Sequence, residues 1–507
     1  MTGRRRLRLR TGLLVGWCVG WAGWIPAAVV RLPRCPYGES WCDRTAVLSG
    51  TPSIAAYLTI AVLGALALLA LWWWDRRRAA PGVPTVDVEP TVDVEPTGRR
   101  VRPAILVLGG LVGVLGAAHL MLFAPAASVP DQCTVDVHLN SAMSYCLNVD
   151  SGDFLRLAHH PRLLLQPRAV RQARPGYVAL SVIATRTIGP VASGLGIDRL
   201  YGQSDPAYVP LVLFNFGTAM ISILLLAWLL LRLGTPTWTM AAICAFLAVN
   251  DIVKAFIWTP HQDLFTLFVP VLTIFVAQWV IRTDPPWWKL ALVGLGLGTY
   301  SLIYASVIIT IAVVSIVLLA RGWRGIARTA VFAAAFAALP LIWITVCRIV
   351  VGSYYNHEVV TYHEFVWVFA EARHGPHALM SYTGLVSLAA TRELASVAGL
   401  TLVMIAGLAA AAVRYRVDLV PRAAAHRAIL ISAALTVAVS VAFGWGIGYF
   451  TNRMMFNAVP ALLVVLGWLA ARLSARSSGL RVATATILSL IVLVVIGVTV
   501  ATPGPWS

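Results

Sequence analysis

Residues 208–232 read YVPLVLFNFGTAMISILLLAWLLLR, an apolar stretch that ends on a single arginine. A membrane helix needs about 20 consecutive apolar residues, so this stretch predicts a transmembrane helix. Similar stretches recur along the whole chain, in which 59% of the 507 residues are hydrophobic and only 12% are charged. A soluble protein is about half apolar and a quarter charged. The composition therefore excludes a soluble enzyme and a disordered chain.

About 13 apolar stretches are predicted to be spans, within a range of about 11–14. They cover residues 11–30, 54–74, 103–126, 208–232, 237–257, 264–282, 288–303, 304–320, 327–350, 393–413, 428–449, 454–472 and 482–501. The pair 288–303 and 304–320 is short, and its glycine-rich stretch from Gly294 to Gly298 suggests a broken or re-entrant pair. We expect an all-α polytopic membrane protein.

The basic residues predict the orientation of these helices. The net charge is +18, from 39 Lys and Arg against 21 Asp and Glu. An arginine-rich N-terminus precedes the first apolar stretch, and no small-residue cleavage site follows it, so we interpret it as a membrane helix rather than a signal peptide. With the N-terminus in the cytoplasm, most basic residues lie on the cytoplasmic side of a plasma membrane, near anionic lipid headgroups. No aromatic-interleaved basic stripe suggests nucleic acid.

The chain divides into three predicted parts. Residues 1–102 hold two helices and a flexible cytoplasmic linker, in which PTVDVE occurs twice in succession, from Pro84 and from Pro90. Residues 103–472 form the main transmembrane body, with external loops 127–207 and 351–392. Residues 473–507 hold a last helix, which ends outside.

Four of the seven cysteines lie in segments that we place outside the cell. They form two pairs, Cys35 with Cys42 and Cys133 with Cys146. Even pairing on an external face fits disulfides in an oxidising compartment. A zinc site is the competing interpretation, but neither pair has CxxC spacing.

The first external loop contains a short predicted helix that starts near Ser151 and lies along the membrane surface. Its apolar face is Phe154, Leu155, Leu157 and Ala158. Asp150 and Asp153 at its start fit helix capping and catalysis about equally. Further on, Arg174-Pro175-Gly176-Tyr177 also fits a helix start, and we expect residues 178–197 to dip into the external leaflet.

This order of elements resembles the GT-C superfamily of glycosyltransferases, which use polyprenyl-phosphate-sugar donors. The shared pattern is a span, an external loop with Asp-x-x-x-aromatic-Leu-x-x-Ala, an Arg-Pro-x-Tyr element and many further spans, over residues 103–472. Phe154 stands where the family usually has Tyr, and Gly176 replaces an apolar residue. The resemblance implies that Asp150, or alternatively Asp153, is the catalytic base. It also implies that Arg174 and Tyr177 contact the donor.

Three further segments fit the same site through the resemblance. His261, Gln262 and Asp263 lie in a turn between two spans, which otherwise is an ordinary polar turn. Arg453 precedes a Pro-containing helix and could pair with the lipid phosphate, or instead snorkel at a helix end. In the second loop, His357 and His363 are candidates for headgroup contacts.

The resemblance implies an inverting transfer of sugar from a polyprenyl-phosphate donor to a glycan, glycolipid or protein acceptor. No GxxxxGK[ST] loop is present, which agrees with a lipid-linked donor. No cofactor or metal ligand set is predicted, although some relatives in the superfamily use a divalent cation. The alternative is a transporter or flippase whose pathway contains Asp251, Lys254 and the break near Gly294.

Overall fold

The computed structural model describes residues 103–121, 135–140, 143–147, 149–194, 205–448 and 452–501. The predicted spans 11–30 and 54–74, the PTVDVE linker and the pair Cys35 and Cys42 lie outside the described residues. Cys133 and the side chain of Cys146 lie outside them too. All four of these cysteine assignments stay predictions.

The described part of the chain is helical except for one antiparallel hairpin, in which Val135 pairs with Leu147. The hairpin strands are β1 (Val135–Asn140) and β2 (Met143–Leu147). The helices are α1 (Pro103–Met121), α2 (Val149–His159), α3 (Pro175–Thr187), α4 (Gly189–Gly194), α5 (Tyr208–Arg232), α6 (Thr237–Ala248), α7 (Asp251–Phe256), α8 (Phe265–Thr283), α9 (Trp287–Ser301), α10 (Ile308–Leu319), α11 (Trp323–Val351), α12 (His357–Tyr362), α13 (Trp367–Arg373), α14 (Pro376–Arg414), α15 (Ala424–Ile447), α16 (Asn452–Met455), α17 (Val459–Arg476) and α18 (Ser478–Ala501).

Within the described residues, 7 helical segments are long and apolar enough to cross a membrane. They are Tyr208–Arg232, Gln262–Thr283, Trp323–Val351, Pro376–Arg414, Ala424–Ile447, Arg453–Arg476 and Ser478–Thr499. The chain is therefore a polytopic helical membrane protein. The total of 13 spans, the orientation and the positions of the termini stay predictions.

Two of the predicted segments differ clearly from the structure. The stretch 237–257 is not one helix, because α6 ends at Ala248 and α7 begins at Asp251. The side-chain oxygen of Asn250 accepts the backbone N–H groups of Ile252 and Val253, which starts the second helix at this point. The predicted loop 351–392 is also too long, because α14 begins at Pro376.

The pair predicted at 288–303 and 304–320 is a broken one. Helices α9 and α10 are separated by a turn after Ser301, and each is shorter than the roughly 20 residues of a full span. The glycines do not form the break. A Cβ on Gly294 would lie 2.6 Å from the Phe332 carbonyl oxygen, and one on Gly298 would lie 2.3 Å from that of Phe336. These glycines let α9 pack closely on α11.

Burial places the segment that contains α17 at the centre of the bundle and α11 at its edge. In the most apolar part of Arg453–Arg476, 89% of the residues are buried. In the corresponding part of Trp323–Val351, 11% are buried. The main core cluster joins α17 to α5, α6 and α7. The turn between α7 and α8 contacts the start of the α17 segment through Asp263 and Arg453, and it contacts the first long loop through His261 and Asp150.

Candidate active site

Helix α2 carries Asp150 in its first turn. The helix begins two residues before the predicted start at Ser151. Its four predicted apolar residues are all buried, with Phe154 0% exposed. This face packs in the protein core. The core contact fixes α2, and so fixes the position of the carboxylate at its start.

Asp150 contacts side chains from two other segments. The Arg171 guanidinium donates to its Oδ1, and the Nε2 of His261 lies 3.2 Å from its Oδ2. The Asp150 side chain is 34% exposed, whereas His261 is 0% exposed. Asp153 has a weaker connection, 3.4 Å from the Arg171 Nε. Asp150 is thus the carboxylate that reaches both the buried histidine and the surface.

The surroundings of Asp150 hold it in its charged form. Burial raises the pKa of the carboxyl group. The hydrogen bond with His261 and the positive charge of Arg171 lower the pKa by more, so that it lies well below its ordinary value. An ionised carboxylate only accepts hydrogen bonds, so the His261 Nε2 is the donor in this contact.

His261 joins Asp150 to a second buried ion pair. Its Nδ1 lies 3.2 Å from the Oδ2 of Asp263, outside hydrogen-bond alignment, and the Arg453 Nη1 donates to the same oxygen at 2.5 Å. The imidazole stacks on Phe256, with ring centroids 5.2 Å apart. The site is therefore a continuous chain of charged and polar groups.

The turn that holds His261 depends on polar residues that the sequence analysis missed. The Asn215 side-chain amide, in α5, donates to the carbonyls of Phe256 and Thr259 at 2.8 and 2.6 Å. The Tyr208 hydroxyl donates to the Trp258 carbonyl at 2.8 Å. The sequence did point to Asn215, because a polar side chain inside an apolar span is costly unless it has a partner.

Arg171 was also missed, although it stands three residues before the Arg-Pro-Gly-Tyr element. It is 6% exposed, and its guanidinium lies over the Phe154 ring, 5.2 Å from the centroid. The next residue, Gln172, connects the two long loops. Its Nε2 donates to the Leu164 carbonyl at 3.0 Å, and its Oε1 accepts the Tyr355 N–H at 2.6 Å.

The structure brings Arg174 and Tyr177 close to Asp150 but gives them different partners. Arg174 Nη2 donates to the Glu358 Oε1 at 2.6 Å, and both side chains are largely buried. Tyr177 packs edge-on against Phe154, with centroids 4.7 Å apart. A glycine at position 176 avoids a close contact, because a Cβ there would lie 3.0 Å from the Leu302 carbonyl oxygen.

The remaining predicted pocket residues divide into two groups. Gln262 is 0% exposed beside His261, in the same turn. The second-loop histidines lie further out. The His357 Nδ1 contacts the Tyr355 hydroxyl at 3.1 Å, while His363 is exposed and has a left-handed backbone with φ 53°. Gln262 therefore lies in the same turn as His261, which contacts Asp150. The described ring contacts of His357 are with Tyr355 and Tyr362, which are close to it in the sequence.

The described residues contain no group of three or more His, Cys, Asp or Glu side chains that could hold a metal ion. No protein-family model, curated protein or solved structure matches this chain.

Proposed function

We propose that this chain is a glycosyltransferase that moves a sugar from a polyprenyl phosphate to a cell-envelope acceptor at the external face of the plasma membrane. The observation that carries the proposal is the contact between Asp150 and His261. It joins a partly exposed carboxylate in a long loop to a buried turn at the end of a membrane helix. Arg171 pairs with the Asp150 carboxylate, and on the other side of His261 Arg453 pairs with the Asp263 carboxylate.

Asp150 has the position and charge of a general base. An acceptor hydroxyl within hydrogen-bond reach would donate its proton to the carboxylate while its oxygen attacks the anomeric carbon. The bond from that carbon to the phosphate oxygen breaks, and the polyprenyl phosphate leaves with the electron pair. One displacement inverts the anomeric centre. Because the pKa of Asp150 is lowered, the base is ionised at neutral pH before the acceptor binds.

Arg453 is the best-placed group for the charge that develops on the leaving phosphate. Its side chain is 12% exposed and comes from the start of the buried α17 segment. A guanidinium binds phosphate in a fork geometry, and a group already fixed by Asp263 needs little reorganisation during the reaction. In this assignment Asp263 orients the arginine, and His261 orients the base.

Transport or flipping is the alternative function, and the contacts favour it less. The Nζ of Lys254, one of its predicted pathway residues, is buried and donates to the Thr499 carbonyl at 2.6 Å. Gly294 and Gly298, near its predicted break, are helix-packing contacts. Both features are accounted for by packing between helices.

The test is sugar transfer by the full chain in detergent or nanodiscs, from a panel of radiolabelled polyprenyl-phosphate sugars to envelope extracts. Mannose, arabinose, glucose and galactose donors cover the open choices. Transfer by the wild type that is lost in Asp150→Asn supports the proposal. No transfer from any donor, together with flipping of a labelled lipid in proteoliposomes, overturns it in favour of transport.

A further inference from the structure

A cavity of about 170 Å³ lies beside the ion pair between Arg174 and Glu358. It is formed where the start of α3, the turn after α9, the middle of α11 and the loop before α12 meet. The residues that matter for its chemistry are Arg174, Trp343, Tyr354, Asn356, Glu358 and Glu364. None of the sequence motifs assigned a role to Trp343, Tyr354 or Asn356.

The size of the cavity fits one ring and not a whole lipid-linked sugar. A cavity of about 150 Å³ holds a single benzene ring. Pockets for drug-sized ligands measure about 300–1,000 Å³. A single six-membered or five-membered sugar ring is therefore the size class that matches.

The lining has the mixture of groups that a sugar ring needs. Trp343 supplies an aromatic surface, and its position is fixed because its Nε1 donates to the Gln172 carbonyl at 2.7 Å. Burial raises the pKa of Tyr354 to about 12, so its hydroxyl keeps its proton at neutral pH and can donate it. The Asn356 Oδ1 already accepts the Val359 N–H at 3.3 Å, so this side chain adds its amide N–H groups, and the two glutamates add acceptor oxygens, for hydroxyls that both donate and accept.

The charge of the lining disfavours phosphate. Of the six residues named above, Arg174 is the one with a cationic side chain. The Glu358 carboxylate already neutralises it, with the Arg174 Nη2 2.6 Å from the Glu358 Oε1. Burial lowers the pKa of Arg174, but Glu358 first, and then Asp263 and Asp150, raise the pKa above its ordinary value, so the guanidinium stays charged. Glu364 then adds a carboxylate, which accepts hydrogen bonds but cannot donate one to a phosphate.

From this geometry we infer that the cavity binds one uncharged sugar ring of the acceptor, and that Arg174 serves this ring and not the donor phosphate. The inference rests on the proposed function for identifying the ring as part of the acceptor. Binding of the ring itself does not require turnover, so the two can be tested separately.

The binding experiment uses the full chain in nanodiscs and saturation-transfer NMR with methyl glycosides of mannose, glucose, galactose and arabinose. We expect at least one glycoside to bind the wild type, and inorganic phosphate not to compete with it. Trp343→Leu should weaken that binding about tenfold, equivalent to about 1.4 kcal/mol. Glu364→Gln, a smaller change, should weaken it measurably. The control is Glu371→Gln in α13, a residue that does not line the cavity, and it should leave binding unchanged.

Two results would overturn the inference: no glycoside binds the wild type, or phosphate competes with the glycoside that does bind. Once an active donor is known, Trp343→Leu should raise KM for the acceptor several-fold and leave KM for the donor unchanged. A rise in the donor KM alone also contradicts the inference, while the proposed function stands. Conversely, glycoside binding that depends on Trp343 in a protein without transfer activity supports the cavity and contradicts the transferase.

Discussion

The Nε2 of His261 lies 3.2 Å from the Oδ2 of Asp150, although the two residues are 111 positions apart. One belongs to a loop helix and the other to the turn before a membrane helix. Because His261 is completely buried, the contact fixes the direction of the carboxylate, while the exposed third of the Asp150 side chain faces outward. A base that is held in this way differs from a helix-capping aspartate, whose partners are backbone N–H groups of its own helix.

This difference predicts unequal effects for the two aspartates of α2. Asp150→Asn should lower kcat for sugar transfer by about 10²–10⁴, which is the usual contribution of a general base. Asp153→Asn should lower it by less than about tenfold, since Asp153 contacts Arg171 at 3.4 Å and lies on the outer side of the network. The reverse pattern would move the base to Asp153, and equal rates in both variants and the wild type would remove the acid–base assignment.

The dependence on pH follows from the lowered pKa of Asp150. A carboxyl group with a native pKa below its unfolded value, about 3.9, stabilises the fold above that value. The stabilisation is lost as the pH falls through the native pKa. Between about pH 5 and 8 the base stays ionised, so Asp150 adds no acidic limb to kcat/KM there.

Arg171→Gln should move that limb to higher pH, because removal of the positive charge raises the pKa of Asp150. The measurement is kcat/KM from about pH 4 to 8, with the exposed loop residue Arg162→Gln as the matched control. Identical profiles for Arg171→Gln and the control would contradict the electrostatic argument.

The pair Arg453 and Asp263 can be separated into structural and catalytic contributions. Arg453→Gln removes the guanidinium that pairs with Asp263, whose side chain is 2% exposed, and breaking a buried pair in this way costs about 3–5 kcal/mol. We expect a clearly lower melting temperature. The double variant Asp263→Asn with Arg453→Gln should recover most of the stability but not the transfer activity. Activity that returns with stability would show that the arginine is only structural.

Much of the helical framework could be predicted from apolar length alone. The stretch 208–232 is one helix with those bounds, and 264–282 differs from α8 by one residue at each end. The start of α14 was placed at 393 instead of 376. Arg392 and Glu393 interrupt the apolar pattern there, but a long helix continues through two charged residues.

The candidate site was predicted only in part. The resemblance in motif order and spacing selected Asp150, with Asp153 as the alternative, and the turn around His261. Spacing carries no information on which distant side chains meet, so Arg171, Glu358 and the contact across 111 residues needed the fold. The same limit applies to Arg174, whose partner Glu358 lies 184 positions away.

The glycines of α9 allow a closely matched test of the packing under this site. Gly298→Ala would place a Cβ 2.3 Å from the Phe336 carbonyl oxygen, and such overpacking costs about 1–3 kcal/mol. Gly296→Ala, two positions away on the same helix, has no atom within 4 Å and should be neutral or slightly stabilising, since alanine favours a helix by about 1 kcal/mol. Thermal unfolding in detergent measures both. Because α11 also carries Trp343, Gly298→Ala should weaken glycoside binding too, while Gly296→Ala leaves it intact. Equal melting temperatures for the two variants would mean that α9 and α11 do not pack at this distance.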